Sequence, residues 1–324
     1  MKLPKLARHP VTRRGHQRGL SLVELMVALT IGLFLIGAVV SIYVATSRGT
    51  RGSTEESQMN EDASLALEIL QQQLRLAAFS GFAAGGDRNF QDQAMTACNG
   101  GFNDNTVADF ATLACVSNDE NPRPDSFAVR YEATLLNSQS VTVAGVQQPA
   151  NCAHEGIAGW YGPSNVPLAE NRYFIENDPA TGVPSLRCVG RSGANLSNAA
   201  TVIPNIEDLQ ILYAVTRTPV VDNPLPHQVT GYLRADEVNA LPNGWQRVAG
   251  ARICIVARST ESFEAIAQEL RQYRDCAGNQ VAAPADGLLR RAFVTTVMAR
   301  NLRPGVPAPY AVGENPWDIF EGEE

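Results

Sequence analysis

The chain has 324 residues, with 33 acidic and 26 basic side chains and a formal net charge of −7. This length is enough to bury the core of one large domain or of two small ones. The acidic balance argues against a nucleic-acid partner, which needs a basic surface, and against attraction to anionic lipid headgroups. Both lysines, Lys2 and Lys5, stand at the N-terminus. The rest of the chain therefore has no P-loop lysine, Schiff-base lysine or Ser–Lys dyad.

A basic leader precedes a long apolar run at the N-terminus. The leader ends at Gly19, and the apolar run begins at Leu20 and continues to Thr46 with Glu24 as its one acidic residue. Basic residues stay on the cytoplasmic side of a membrane, so residues after about 47 are expected to cross it. The leader holds six of these basic residues: Lys2, Lys5, Arg8, Arg13, Arg14 and Arg18.

Glu24 is an expensive residue in a membrane helix. A carboxylate there costs roughly 3 kcal/mol on insertion scales, so we expect it to have a partner. If the chain is cut after Gly19, the new amine of Leu20 is a cation that can neutralise Glu24 of a neighbouring copy. In the competing interpretation, Glu24 stays protonated and only marks the cleavage site.

Residues 18–26, RGLSLVELM, resemble the N-terminus of type IV pilins and of type II secretion pseudopilins. In those families a prepilin peptidase cuts after the glycine, and the new N-terminus is methylated. The resemblance implies cleavage between Gly19 and Leu20, an N-methylated Leu20 and a role for Glu24 in subunit registry. The alternative is an ordinary signal anchor. An ordinary secretory signal would instead be cleaved after its apolar region.

The helical pattern continues beyond the apolar run. Residues 1–19 are the leader, residues 20–47 are expected to form a transmembrane and assembly helix, and residues 48–82 its periplasmic half. No proline occurs between Pro10 and Pro122, which agrees with a long helical arm. Apolar residues in the second half recur at spacings of three and four and predict one buried face: Met59, Ala63, Leu67, Leu70, Leu74 and Ala77.

Residues 83–200 begin with a segment rich in Gly, Asn and Asp and are expected to form an irregular or β insert. Its predicted strands are Ser126–Glu132, Ser140–Val146 and Arg172–Ile175. One loop offers hard oxygen ligands and is a calcium candidate, although the same residue types also favour turns without any metal. Its candidate ligands are Asp104 and Asp109, with Asn103 and Asn105 beside them. No other metal site is expected.

Residues 201–303 are predicted to form a C-terminal β-sheet core. Its strands are expected at Ile206–Val215, Arg247–Arg258 and Leu289–Ala299, with a short helix near Arg234–Asn239. Residues 304–324 are Pro-rich and acidic, and we expect a tail that is flexible or held against the surface.

Six cysteines lie beyond the membrane segment. An even number on the exported side indicates disulfides, and zinc is not expected because no C-x-x-C pair occurs. Six cysteines allow 15 pairings, among which the sequence does not choose. Our hypothesis pairs neighbours: Cys98 with Cys115, Cys152 with Cys188, and Cys254 with Cys276.

Four segments resemble the PilW family of type IV pilus assembly proteins: LRLAAFSGF, NIEDLQILYAV, GARICIVARS and RRAFVTTVMARN. The resemblance implies an α+β, pilin-like fold in which a long N-terminal helix packs on an antiparallel β-sheet domain. It also implies a minor pilin, with no enzymatic activity and no cofactor, that helps to prime pilus assembly. Such a subunit is held in the inner membrane with a periplasmic domain and later joins the pilus near its tip. Its partners would be prepilin peptidase, other minor pilins and inner-membrane lipid, with a tip adhesin as a further candidate.

Three other functions stay open. A J-type minor pseudopilin of a type II secretion system has the same order of elements, and neighbouring genes would distinguish it. A signal-anchored periplasmic enzyme predicts no processing at Gly19 and no effect of Glu24. The segment Gly190–Ala194 falls short of the G-x-S-x-G pattern of such enzymes, because Ala194 replaces the last glycine. A tip adhesin that binds through residues 83–200 predicts that deletion of this segment spares pili and abolishes attachment.

Overall fold

The computed structural model describes residues 21–82, 88–90, 92–116, 123–157, 165–193, 195–216, 228–263, 271–282 and 284–302. The chain divides into two compact units, Met1–Ser53 and Thr54–Glu324. Helix α1, Leu22–Leu76, begins in the first unit and ends in the second.

In the first unit, α1 exposes apolar side chains on every side. Leu22, Phe34 and Tyr43 are each more than 70% exposed. By length and composition this part of the helix is able to cross a membrane, and none of its most apolar window is buried. A helix that is apolar all round needs lipid or other helices around it.

In the second unit, α1 buries one face. The face predicted from the spacing is confirmed, since all six of its residues are buried: Met59, Ala63, Leu67, Leu70, Leu74 and Ala77. The helix ends at Leu76, a few residues before the expected boundary at 82. The physical cause lies at Ala78, which has a left-handed φ of 62° and donates its N–H to the carbonyl of Arg130. The chain thus leaves the helix to bond with a strand.

The first sheet contains six antiparallel strands among the described residues, in the order β1-β2-β5-β6-β7, with β8 also paired to β6. These strands are β1 (Met95–Cys98), β2 (Ser126–Glu132), β5 (Leu168–Asn177), β6 (Pro184–Ser192), β7 (Asn195–Leu196) and β8 (Ala200–Pro204). A separate hairpin joins β3 (Ser140–Val143) to β4 (Val146–Pro149).

The second sheet has four antiparallel strands in the described part of the chain, in the order β10-β9-β11-β14. They are β9 (Ile206–Thr216), β10 (Val229–Leu233), β11 (Val248–Arg258) and β14 (Arg290–Met298). Helix α2 (Ala235–Asn239) follows β10, and a small hairpin joins β12 (Tyr273–Arg274) to β13 (Gln280–Val281). The three long strands predicted here, and the short helix, are confirmed to within about one residue at each end.

One core lies between both sheets and the second half of α1. Phe127 of β2 stacks on Tyr173 of β5, with ring centroids 5.3 Å apart, and Tyr213 of β9 meets Trp245 edge-on at 5.0 Å. Polar contacts also tie α1 to the second sheet. The guanidinium of Arg291 pairs with Glu56 at 2.6 Å. The expected α+β class, a long helix packed on antiparallel sheets, is therefore confirmed.

The structure corrects several details of the insert, residues 83–200. Its described part contains five strands of the first sheet, β1, β2, β5, β6 and β7, and the boundary expected at 200 falls at the start of β8. The strand expected at Ser140–Val146 is a hairpin, because Ala144 and Gly145 both have positive φ and form its two-residue turn. The short strand expected at Arg172–Ile175 is the centre of the ten-residue strand β5.

We predict that Leu70→Ala lowers the free energy of unfolding by about 2–5 kcal/mol, because Leu70 is fully buried against the sheets. The matched control is Leu65→Ala on the same helix. Leu65 is 46% exposed, so its truncation should change the stability by no more than about 0.5 kcal/mol. Urea unfolding of the full chain in detergent measures both values. Equal losses would contradict the burial pattern of α1.

Candidate functional site

The first turn of α1 forms a reciprocal pair of hydrogen bonds between Ser21 and Glu24. The backbone N–H of Ser21 donates to Glu24 Oε2 at 3.0 Å, and the N–H of Glu24 donates to Ser21 Oγ at 3.2 Å. This is a capping box, in which two N–H groups left over at the helix start are satisfied by side chains. Glu24 is therefore held at the helix N-terminus, where the helix dipole favours a negative charge.

Glu24 keeps one oxygen for another partner. Its Oε1 accepts no hydrogen bond from any residue that the structure describes. Leu22, Val23, Leu25 and Met26 surround it, and all four are more than half exposed. A carboxylate in such an apolar surface favours a cationic or hydrogen-bonding partner from outside its own helix. Gly19 and Leu20, the predicted cleavage residues, lie outside the described residues.

Three disulfides join the six cysteines, all of which the structure describes. The pairs are Cys98–Cys115, Cys152–Cys188 and Cys254–Cys276, with Cα–Cα distances of 5.1, 6.2 and 5.7 Å. Each pair joins neighbours along the chain, as in our hypothesis. The chain-entropy account gives about 3 kcal/mol for a loop as short as that of the first pair.

The calcium-candidate loop lies inside the Cys98–Cys115 disulfide loop. Asp104 accepts hydrogen bonds from the N–H and hydroxyl of Thr106, and Asp109 caps a short 3-10 helix (Phe110–Thr112) by accepting from Ala111 N–H. Both carboxylates are thus used by their own turns. No group of three acidic, His or Cys side chains able to hold a metal occurs among the described residues.

Arginine side chains bind the carbonyl groups of this loop instead. Arg172 Nη1 donates to the carbonyls of Asn105 and Val107, each at 2.7 Å, and Arg191 donates to that of Ala108. Arg130 lies over the ring of Phe110 at 4.2 Å. The loop is therefore attached to the first sheet by cations of the protein itself.

The three arginines converge on Glu170, which is fully buried in β5. Its carboxylate accepts from Arg130 at 2.7 Å and from Arg191 at 3.0 Å, and it pairs with Arg172. Burial alone would raise the pKa of Glu170, but the hydrogen bonds and charges of the guanidiniums lower it overall. Burial also lowers the pKa of Arg172. Sequence reasoning missed this cluster, because residues so far apart give no local signal.

Asp125 connects the disulfide loop to the second sheet. Its carboxylate accepts from Gly100 N–H at 3.1 Å and from Ile211 N–H at 2.8 Å, and its own N–H donates to Leu209 at 2.7 Å. Burial raises the pKa of Asp125 to about 7, outweighing the backbone hydrogen bonds that lower it. This carboxyl group therefore changes its charge near neutral pH while it links the two sheets.

Two family models match the chain, one near its N-terminus and one in its second half. The family model described as Type IV Pilus-assembly protein W matches residues 172–301, a range that includes the whole second sheet. The model described as Prokaryotic N-terminal methylation motif matches residues 14–40, which include Ser21 and Glu24. The predicted resemblance to the PilW family is confirmed.

Among solved structures, a type IV-like pilin from Thermus thermophilus matches with 13% sequence identity and a TM-score of 0.35. The match covers 75% of this chain and 97% of that chain. A TM-score this low supports no inference. No curated protein matches the chain.

The chain is thus similar to PilW proteins over residues 172–301 and has a methylation motif at its N-terminus. That motif implies processing by a prepilin peptidase and packing with other pilins. Together with the apolar first part of α1, it supports membrane anchoring and association with a pilus. Sequence reasoning found Glu24 but missed Ser21. The pattern Ser-x-x-Glu before an apolar run is a known capping signal and would have found it.

We predict that the contribution of Asp125 to the stability of the chain falls as pH rises between about 4 and 7. Folding raises the pKa of Asp125 from about 4 to about 7, so the folded state binds the extra proton in this range. Its stabilisation is present at low pH and is lost as pH rises through 7. At 1.36 kcal/mol per pKa unit, the whole change is on the order of 4 kcal/mol.

Urea unfolding of the full chain at pH 5 and pH 8 measures this dependence. Asp125→Asn should flatten the slope, whatever it does to the absolute stability. Asp109→Asn is the matched control, because it removes an exposed carboxylate and Asn is an equally good cap. A wild-type slope in the Asp125 variant would contradict the assignment.

Proposed function

We propose that this protein is a minor pilin that primes and supports type IV pilus assembly after cleavage between Gly19 and Leu20. The observation that carries the proposal is Glu24, one carboxylate with a free oxygen on a helix that is apolar all round. The methylation motif at residues 14–40 and the PilW match at residues 172–301 support the same function. The role is structural, with no chemistry of its own.

Glu24 sets the register between subunits in this proposal. In a lipid-like environment an unpaired carboxylate tends to take up a proton, and an unpaired amine tends to lose one. When the Leu20 amine of one subunit meets Glu24 Oε1 of the next, both charges are restored. The pair can form at one axial position only, because no other acidic residue occurs between Leu20 and Thr46. Apolar contacts alone would allow the helices to slide.

The same helix serves before and after assembly. Before assembly the apolar part of α1 holds the chain in the inner membrane, with the domain in the periplasm. Afterwards it is buried among the helices of other minor pilins near the filament tip. The surface of the domain, including the insert, supplies specificity for those partners, and a tip adhesin is a further candidate.

The experiment replaces Glu24 with Ala in cells that produce the protein at its natural level. We expect processing to persist and the number of pili per cell to fall at least tenfold, because the subunits lose their register contact. The matched control is Ser41→Ala. The Ser41 hydroxyl donates to the carbonyl of Ala38 in its own helix, so its removal should leave piliation unchanged.

Normal piliation in the processed Glu24→Ala strain would contradict the register role. Loss of protein secretion with normal pili would instead support the second candidate, a J-type pseudopilin. An effect of Ser41→Ala equal to that of Glu24→Ala would show that any polar change in the helix disturbs assembly, and would also contradict the specific role of Glu24.

A further inference from the structure

The face of the second sheet that is turned away from the core is partly uncovered. Cross-strand partners share a face, and the register places Tyr232, Ala214, Gly250 and Met298 in one row across the four strands. Tyr232 is 49% exposed and Met298 is 72% exposed. The two residues between them, Ala214 and Gly250, are small and buried, so the exposed apolar surface of the row lies at its two rims.

Arg252 stands beside this row. Leu212 and Thr296 are its cross-strand partners, and Val294, 49% exposed, lies on the same face of β14. The guanidinium of Arg252 is exposed and makes no hydrogen bond or ion pair with any described residue. Cys254 follows Arg252 on the same face of β11, and its disulfide with Cys276 attaches the β12–β13 hairpin there. The uncovered part of the face is therefore the end of the sheet that carries Arg252, Tyr232 and Met298.

An apolar surface around an unpaired arginine fits a peptide that carries carboxylates beside large apolar side chains. The last residues of this chain, 311–324, have that composition and no basic residue. Their acidic residues are Glu314, Asp318, Glu321, Glu323 and Glu324, and their large apolar residues are Trp317, Ile319 and Phe320.

The chain is also long enough to place this segment on the sheet. The described chain ends at Leu302, four residues after the end of β14 at Met298. Sixteen further residues to Asp318 span up to about 50 Å when extended. The row from Tyr232 to Met298 crosses three strand spacings, or about 14 Å. Every point of the open face is therefore within reach.

We propose that residues 311–324 dock on this outer face, with a carboxylate on Arg252 and apolar side chains against the exposed side chains of Tyr232 and Met298. The occupant is the C-terminal segment of the same chain. This inference does not depend on the register role of Glu24, so either proposal can fail without the other.

The test places a photo-crosslinking benzoylphenylalanine at position 298 of the full chain in detergent. Unlabelled and ¹⁵N-labelled protein are mixed in equal amounts, and the crosslinked peptides are identified by mass spectrometry. We expect crosslinks from position 298 to residues 311–324 within chains of a single isotopic label. Crosslinks that join light to heavy chains, crosslinks to other segments, or no crosslinks would overturn the proposal.

Charge variants test the role of Arg252. Arg252→Glu should lower the yield of this crosslink about two- to fivefold, the effect expected of one exposed ion pair. Arg274→Glu reverses a charge on the separate β12–β13 hairpin and is the matched control. Neutralising Glu314, Asp318 and Glu321 together should lower the yield equally, without touching the folded sheet. An unchanged crosslink yield in Arg252→Glu or in the triple acidic variant would contradict the ion pair and the proposal. An equal loss of yield in Arg274→Glu would contradict them as well.

Discussion

The proposed assembly depends on one carboxylate in an apolar helix. Glu24 is costly in lipid, and the structure reduces that cost by placing it in a capping box with Ser21. The capping box uses one carboxylate oxygen and leaves the other available to a second chain. In the proposed assembly this oxygen distinguishes one axial position from the next, since the helix around Glu24 is apolar on all sides. A membrane anchor without it would hold the chain but would specify no neighbour.

The second half of α1 belongs to the folded domain. Beyond Ser53 the requirement on α1 changes, because one face must be buried against a core while the other stays in water. Leu70 and Leu74 meet the first requirement, and the Glu56–Arg291 pair adds a polar contact to the second sheet. The insert is fixed by buried charge and by disulfides: Glu170 holds three arginines in the described part of the chain, and Asp125 links the Cys98–Cys115 loop to the second sheet.

Local patterns predicted the parts of the fold that local physics controls. Spacings of three and four residues identified the buried face of α1, an apolar series identified β9, and β-branched alternation identified β14. The insert was harder, because its key contacts are distant in sequence. Arg172 lies 67 residues from Asn105, whose carbonyl it binds. The composition of the calcium-candidate loop suggested a metal ligand. The structure shows Arg172 and Arg191 donating hydrogen bonds to carbonyl groups of this loop. The hairpin turn at Ala144–Gly145 does have a local cause, the positive φ of both residues. Strand propensity alone does not detect such a turn.

The central claim concerns the N-terminus, and the intact mass of the mature protein tests it most directly. The protein is purified from cells with and without prepilin peptidase, and its mass and first residue are measured. The account predicts a chain that begins at Leu20, with the added mass of one methyl group, in cells that have the peptidase and an uncut chain in cells that lack it. An uncut chain in both strains, or a chain cut after Thr46, would contradict the account and favour an anchored or secreted periplasmic protein.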